Sequence, residues 1–428
     1  MKTLGRVGFL VPIFIGVHFG VPSAWGKLGD DVFLKDAIKR VCEASPEKKL
    51  GEALEEEAAL RTTVAERFWL PTLETKTRLG VQDGRALARG EKELSAFTLS
   101  ARFPFREMLN NFREIEARRT DQRIQQIETQ RSLNERLRIL FENLIRLQSA
   151  TERLAVFESS LEQYDLQIRT QQNRVRSGLT SDRDLLRIQS ERDRVERILL
   201  SEKSQVLSYE MLLANEFQLE KAVAPKKWDL FKEGSFRLDE ILDVRLERER
   251  EKRSQADLQM EESAMTPNLR IFGEGSYGSQ GWAKTRFPQE QWSAAAGIEL
   301  KWTLWDGGLE RAERAARWAG VERSRLNKRR AEERFSTKIR VTESQRNLFA
   351  RSKELIKRSL DAQEKTFRNV TTEYRSGRLS YLDWITTQNA LDAIRLDQIE
   401  NEVSLKVLDL EIGALTGRLM TVSCGGSQ

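Results

Sequence analysis

The chain has 428 residues, 32% of them charged, and 72 Lys and Arg stand against 66 Asp and Glu for a formal net charge of +6. Its basic residues are interleaved with acids, as in Arg245, Glu247, Arg248, Glu249 and Arg250, so they read as a solvated, ion-paired surface and argue against nucleic acid as a partner. The single histidine, His18, lies near the N-terminus, and no nucleophile or metal-ligand spacing emerges elsewhere, which excludes most hydrolytic chemistry and leaves no expected cofactor, metal site or enzymatic activity.

In chain order, Lys2 and Arg6 precede an apolar run from Val7 to Val21 and the small residues around Ala24, Trp25 and Gly26. This pattern predicts a secretory signal over residues 1–26, because the run is short of the ~20 residues that a membrane span needs. Removing Lys2 and Arg6 from the formal +6 leaves +4 for the remainder. Cys42 and Cys424 lie near opposite ends; in an oxidising envelope compartment they either close one very long loop or remain two buried thiols.

From there the chain reads as one unit written twice. Arg176-Ser177-Gly178 answers to Arg375-Ser376-Gly377 at an offset of 199, Phe103 and Phe105 answer to Trp302 and Leu304 at the same offset, and Pro71 and Leu73 answer to Pro267 and Leu269. That period is far above solenoid lengths, so two large pseudo-equivalent halves are expected. The first spans residues 27–215, a linker follows over 216–240, the second spans 241–417, and 418–428 is a tail.

Each half carries a pair of strands, predicted at about 71–82 and 93–105 and again at about 267–278 and 291–304. Alternation is strong: Phe97, Leu99 and Phe103 share one face, and Trp292, Ile298, Leu300 and Trp302 share one face of the last strand, with Ser293, Glu299 and Lys301 opposite. Trp292 and Trp302 are ten residues apart, about 33 Å along a strand and roughly 23 Å in height at a 45° tilt, close to the apolar band of a membrane barrel. Four strands cannot close a barrel alone and open edges are not tolerated in lipid, so several copies must share one; three would supply twelve strands.

Long helices fill the remainder. Residues 107–177 contain neither Gly nor Pro and form a rod of about 105 Å at ~1.5 Å per residue. Leu137, Leu140, Leu144, Leu147, Leu154, Phe157, Leu161, Tyr164 and Ile168 make a coiled-coil seam along it, and Leu185, Ile188, Val195, Leu199, Val206, Tyr209 and Leu213 resume the pattern on a return helix over 181–215. The second half repeats this with helices over 307–376 and 380–416. Ser181 with Asp184, and Ser380 with Asp383, have capping-box spacing at the starts of the return helices. The fold class is therefore mainly α with a membrane β part, and a coiled-coil envelope scaffold or adaptor without a pore is the competing reading.

The glycine tips, the junction Leu304-Trp305-Asp306-Gly307-Gly308 and the leading segment from Ala58 to Pro71 resemble the TolC-like outer-membrane efflux proteins, over nearly the whole chain after the signal. The resemblance implies a homotrimer in which a twelve-stranded outer-membrane barrel continues into an α-helical barrel across the periplasm of a Gram-negative cell. It implies a passive duct of a tripartite efflux pump or type I secretion system, driven by an inner-membrane transporter through a periplasmic adaptor. The adaptor would meet the tips at Arg176, Ser177, Gly178, Leu179, Ser181, Arg375, Ser376, Gly377 and Ser380. The resemblance also places a gate there, with Asp184, Tyr374 and Asp383 as its residues and a hydrogen bond between Asp184 and Tyr374 as the lock; the alternative is ordinary capping by Asp184 and packing by Tyr374. Two positions depart from the family, Leu379 for an arginine and Thr386 for a lumenal aspartate, which removes the basis for an acidic cation-trapping constriction.

Overall fold

In a computed structural model of the protein the described residues are 32–67, 70, 72–81, 93–103, 107–178, 181–219, 237–264, 268–280, 289–302, 305–417, 419 and 424. The expected signal segment and most of the linker and tail lie outside them, as do Leu179 and the first exit from the strands at 104–106. The helices are α1 (Val32–Ala44), α2 (Pro46–Glu66), α3 (Glu107–Arg176), α4 (Asp182–Phe217), α5 (Leu242–Ala264), α6 (Leu309–Arg375) and α7 (Tyr381–Leu415). The strands are β1 (Thr72–Val81), β2 (Glu93–Phe103), β3 (Asn268–Gln280) and β4 (Gln289–Lys301).

The strands form one antiparallel sheet in the order β1-β2-β3-β4, which leaves β1 and β4 as open edges. Register places Thr77, Phe97, Tyr277 and Trp292 in one row across the sheet, and Phe103, Ile271 and Ile298 in another on the same face. The opposite face carries rows such as Glu74, Ser100, Glu274 and Ala295, and Lys76, Thr98, Ser276 and Ser293. By register, one set of rows is thus apolar in sequence, with aromatic residues in one of them, and the alternate set is polar. The last two strands run further toward their connecting loop than the sequence reading had them, to Gln280 and from Gln289.

The 70-residue α3 is the spine. Near the sheet it is flanked by α2 and α5, and α5 in turn packs on α6; toward the glycine tips it is flanked by α4 and α7, and α7 packs on α6. Ion pairs mark these seams: Arg123 to Glu249 and Lys328 to Glu251 near the sheet, Arg153 to Glu202 and Lys353 to Glu402 toward the tips. Each protomer is therefore a row of four rods, α2–α3–α5–α6 above and α4–α3–α7–α6 below. Close approach on the first row depends on Gly51, where an added Cβ would fall on the side chain of Thr129 of α3.

Burial follows the coiled-coil seam. Leu137, Leu140, Leu144, Leu147, Phe157 and Tyr164 of α3 are buried, as are Ile188, Val195, Leu199 and Leu213 of α4. Fully burying such a side chain contributes about 1.5–3 kcal/mol. One cluster at mid-rod joins Ala37, Ile38 and Val41 of α1 to Leu140, Phe141, Leu213 and Leu410. There the structure closes the alternative left open by the sequence: Cys42 and Cys424 form a disulfide, with Cα atoms 5.7 Å apart and a sequence separation of 382.

Candidate functional site

The two tips are built alike because the sequence is. Helix α3 ends at Arg176, and Gly178 (φ 68°) turns the chain, its N–H donating to Val175 O at 2.9 Å. Helix α6 ends at Arg375, and Gly377 (φ 78°) does the same, with Arg378 N donating to Glu373 O at 2.9 Å. Left-handed backbone at both turns is the reason for glycine there. Arg176, Ser177, Gly178 and Ser181 are exposed, as are Arg375, Ser376, Gly377 and Ser380.

The capping pattern forms fully at only one tip. Ser380 Oγ accepts from Asp383 N at 3.3 Å while Asp383 Oδ2 accepts from Ser380 N at 3.1 Å. At the other tip Ser181 Oγ accepts from Arg183 N at 3.1 Å, and Asp184 contributes its backbone N–H to Ser181 O at 3.1 Å without closing the box. Asp383 thus caps its own helix terminus.

The hydrogen bond expected between Asp184 and Tyr374 is not formed within the chain. Tyr374 is 2% exposed and its hydroxyl donates to Gln171 Oε1 of α3 at 3.0 Å; no bond joins it to Asp184 within the protomer. The reason is direction: Tyr374 points into the interface between the hairpins, whereas Asp184 sits half-buried on the first turn of α4. Burial pushes the Tyr374 hydroxyl up from its ordinary range, Arg174 opposes that, and the nearby charge of Asp184 adds to the rise.

Arg174 is the residue that sequence reasoning left without a role. Its guanidinium lies 5.1 Å from the centroid of the Tyr374 ring, and Nη2 donates to Tyr374 O at 3.1 Å and to Arg375 O at 2.9 Å. It places a cation on the last carbonyls of α6, where the helix dipole favours one, and ties the end of the first hairpin to the end of the second. Its position four residues before Gly178 was the available signal.

Above the tips lies a mixed aromatic and polar seam between α3 and α7. Trp384 is fully buried, edge-on to Tyr164 with centroids 5.6 Å apart and stacked on Tyr381 at 6.3 Å. Next to it Ser160 Oγ donates to Asp392 Oδ2, and Gln388 Nε2 donates to both Asp392 oxygens at 3.0 Å. Burial raises the Asp392 carboxyl above its ordinary range, with the bonds from Ser160 and Gln388 and the charges of Arg395 and Arg194 opposing.

At the opposite end, Ile298, Leu300 and Trp302 are 68%, 64% and 57% exposed, and Ile298 shares its register row with Ile271 and Phe103. Among the described residues no helix is long and apolar enough to cross a membrane.

With this geometry in place, comparison with known proteins is informative. Residues 238–418 match the family model described as outer membrane efflux protein. Among solved structures, CusC is similar at 13% identity with a TM-score of 0.78, covering 90% of this chain and 91% of that one. The CmeC outer membrane channel of Campylobacter jejuni is similar at 11% identity with a TM-score of 0.77, covering 91% and 86%. The outer membrane protein VceC of Vibrio cholerae is similar at 14% identity with a TM-score of 0.75, covering 90% and 96%. A search of curated proteins gave no match. At such identities the structures show a shared fold, the TolC-like one.

Proposed function

We propose that the chain is an outer-membrane duct like the outer membrane efflux proteins, whose family model matches residues 238–418, and that three copies close it into a continuous tunnel. The observation that carries this is that both layers of the protomer are open at both ends. The sheet ends on β1 and β4, and the rod row below ends on α4 and α6. Three four-stranded sheets give a twelve-stranded barrel, and three rows of four rods give twelve helices.

The two end helices carry matching apolar stripes. On α4, Leu200 and Leu207 are 59% and 55% exposed; on α6, Leu355 and Leu348 are 62% and 64% exposed. Leu200 lies 22 residues after Gly178 and Leu355 lies 22 before Gly377, and Leu207 and Leu348 lie 29 from the same glycines. Equal distance from the tips means equal height along the rods. Leucines one heptad apart on each helix then meet as a coiled-coil seam between one protomer's α4 and its neighbour's α6.

In this reading the tunnel conducts passively, an inner-membrane pump supplies the energy, and a periplasmic adaptor docks on the exposed tips around Gly178 and Gly377. The pump, which this chain does not encode, selects the cargo, and the rods extend from the outer membrane into the periplasm. A double variant, Leu207→Cys with Leu348→Cys, tests the closure. It should give a covalent trimer on mild oxidation in membranes, whereas monomers only, or a dimer that never advances, would refute the arrangement.

A further inference from the structure

Where the first turn of α5 faces the end of α7, the row of rods has a gap between α3 and α6. It is a cavity of about 1300 Å³ whose apolar lining includes Leu246, Phe335, Leu410 and Leu415. Six carboxylates line it, and every one is ion-paired: Glu128 and Glu247 to Arg250, Glu135 and Glu142 to Arg138, Asp243 to Arg131, and Glu411 to Lys338. Two further cations line the same space, Arg330 and Arg334, and neither has an acidic partner among the described residues. They stand four apart on α6, so their Cβ atoms are about 6 Å apart on one face. The Arg334 guanidinium lies 5.6 Å from the Phe335 ring centroid.

An independent observation points into the same space. Asn134 of α3 lines the cavity, is only 6% exposed, and donates through Nδ2 to Ala414 O at 2.7 Å, which leaves its buried Oδ1 without a donor among the described residues. Buried acceptors without partners are uncommon in native proteins. The cavity therefore offers two uncompensated guanidinium forks and one acceptor awaiting an O–H or N–H.

We propose that this mid-rod cavity binds a small organic polyanion whose carboxylates or phosphates engage Arg330 and Arg334 while a neighbouring hydroxyl or amide donates to Asn134. Guanidinium groups suit the anionic oxygens because their planar forks give two parallel charge-assisted bonds. The hydroxyl or amide is what separates this ligand from a bare inorganic anion. All three residues belong to one protomer, and because Arg334 stands two heptads before Leu348 on α6, the proposal also requires that the neighbouring copy leave this face open.

The test uses the full-length, detergent-extracted protein, with citrate as the probe and tricarballylate as the same tricarboxylate without the hydroxyl. Thermal unfolding is followed during titration at constant ionic strength, with chloride as the reference. Citrate should give a saturable upward shift that chloride does not, and tricarballylate should bind several-fold more weakly. Arg330→Gln with Arg334→Gln should weaken citrate about tenfold or more. Arg329→Gln should not, because Arg329 pairs with Glu333 at 3.2 Å and does not line the cavity. Citrate acting no differently from chloride, or binding the double variant like wild type, overturns the site. Equal binding of the two probes overturns the role of Asn134. A double variant that loses its oligomeric state, with wild type insensitive to citrate, would assign both arginines to contacts between copies and likewise overturn the site.

Discussion

Tyr374 of α6 donates its hydroxyl to Gln171 of α3 across 3.0 Å in a buried setting, so the two hairpins are held together at the tips by a bond between rods that α7 separates along the row. Arg174 reinforces the same junction from the ring side and from the carbonyl side. A tip that opens must break both.

The first prediction separates this latch from the Asp184 lock. Tyr374→Phe removes one buried hydrogen bond worth about 0.5–1.5 kcal/mol, and Arg174→Gln removes charge-assisted bonds worth about 1.5–3 kcal/mol. Single-channel recordings in planar bilayers should show raised conductance or open probability for both, with the arginine variant the larger. Asp184→Ala should stay close to wild type. If Asp184→Ala opens the channel as far as Arg174→Gln, the latch between Arg174, Tyr374 and Gln171 is the wrong one.

The second concerns the disulfide. It joins Cys42 of α1 to Cys424 beyond α7, beside a core shared by α1, α3, α4 and α7. Closing so long a loop restricts the unfolded chain, and its loss should cost roughly 2–5 kcal/mol. Cys42→Ser should lower the melting temperature to that of the reduced wild type, and reductant should have no further effect on the variant. A wild-type melt insensitive to reductant would mean that the bond contributes nothing.

Much of this molecule was legible in its sequence, for identifiable reasons. The rods could be read because Leu137, Leu140, Leu144 and Leu147 repeat at coiled-coil spacing, and the strand face because Trp292, Ile298, Leu300 and Trp302 fall two or a multiple of two apart. The glycine tips could be read because a left-handed turn restricts the residue type. Interactions across the fold were not legible. Nothing local in the chain says that Tyr374 faces Gln171, 203 residues earlier, or that Asp392 meets Ser160, 232 residues earlier. Family pattern placed Tyr374 at the right junction and gave it a different partner, because a motif conveys position along the chain and not side-chain direction.

A third prediction follows from Asp392. Its carboxyl is raised by burial in the seam between α3 and α7, against an unfolded value of about 3.9. In the window between those values the folded chain holds a proton that the unfolded chain has released. Stability of this seam therefore falls as pH rises through the window and levels off above the folded value. Asp392→Asn keeps an acceptor for Ser160 and Gln388 and removes the titration. Hydrogen exchange of the tip-proximal halves of α3 and α7 should be slower at pH 4 than at pH 7 in wild type once corrected for intrinsic rates. In the variant the corrected protection should be the same at both pH values; a pH dependence that persists there would have another source.

The last prediction addresses the sheet. Ile298 and Ala295 are three residues apart on β4 and so face opposite sides; Ile298 shares its row with Ile271 and Phe103, and Ala295 shares its row with Glu274 and Ser100. If the Ile298 face meets lipid, Ile298→Lys places a charge in hydrocarbon at a cost of about 2–4 kcal/mol per protomer near the midplane. Ala295→Lys places the same charge on the polar face, among Glu274 and Glu74, where water and carboxylates receive it. Both variants add the same side chain to the same strand, so differences in strand propensity nearly cancel. Outer-membrane fractions should contain heat-modifiable oligomer at wild-type levels for Ala295→Lys and sharply reduced levels for Ile298→Lys. The reverse order would mean that the sheet is turned the other way, with Ile298, Leu300 and Trp302 lining the interior.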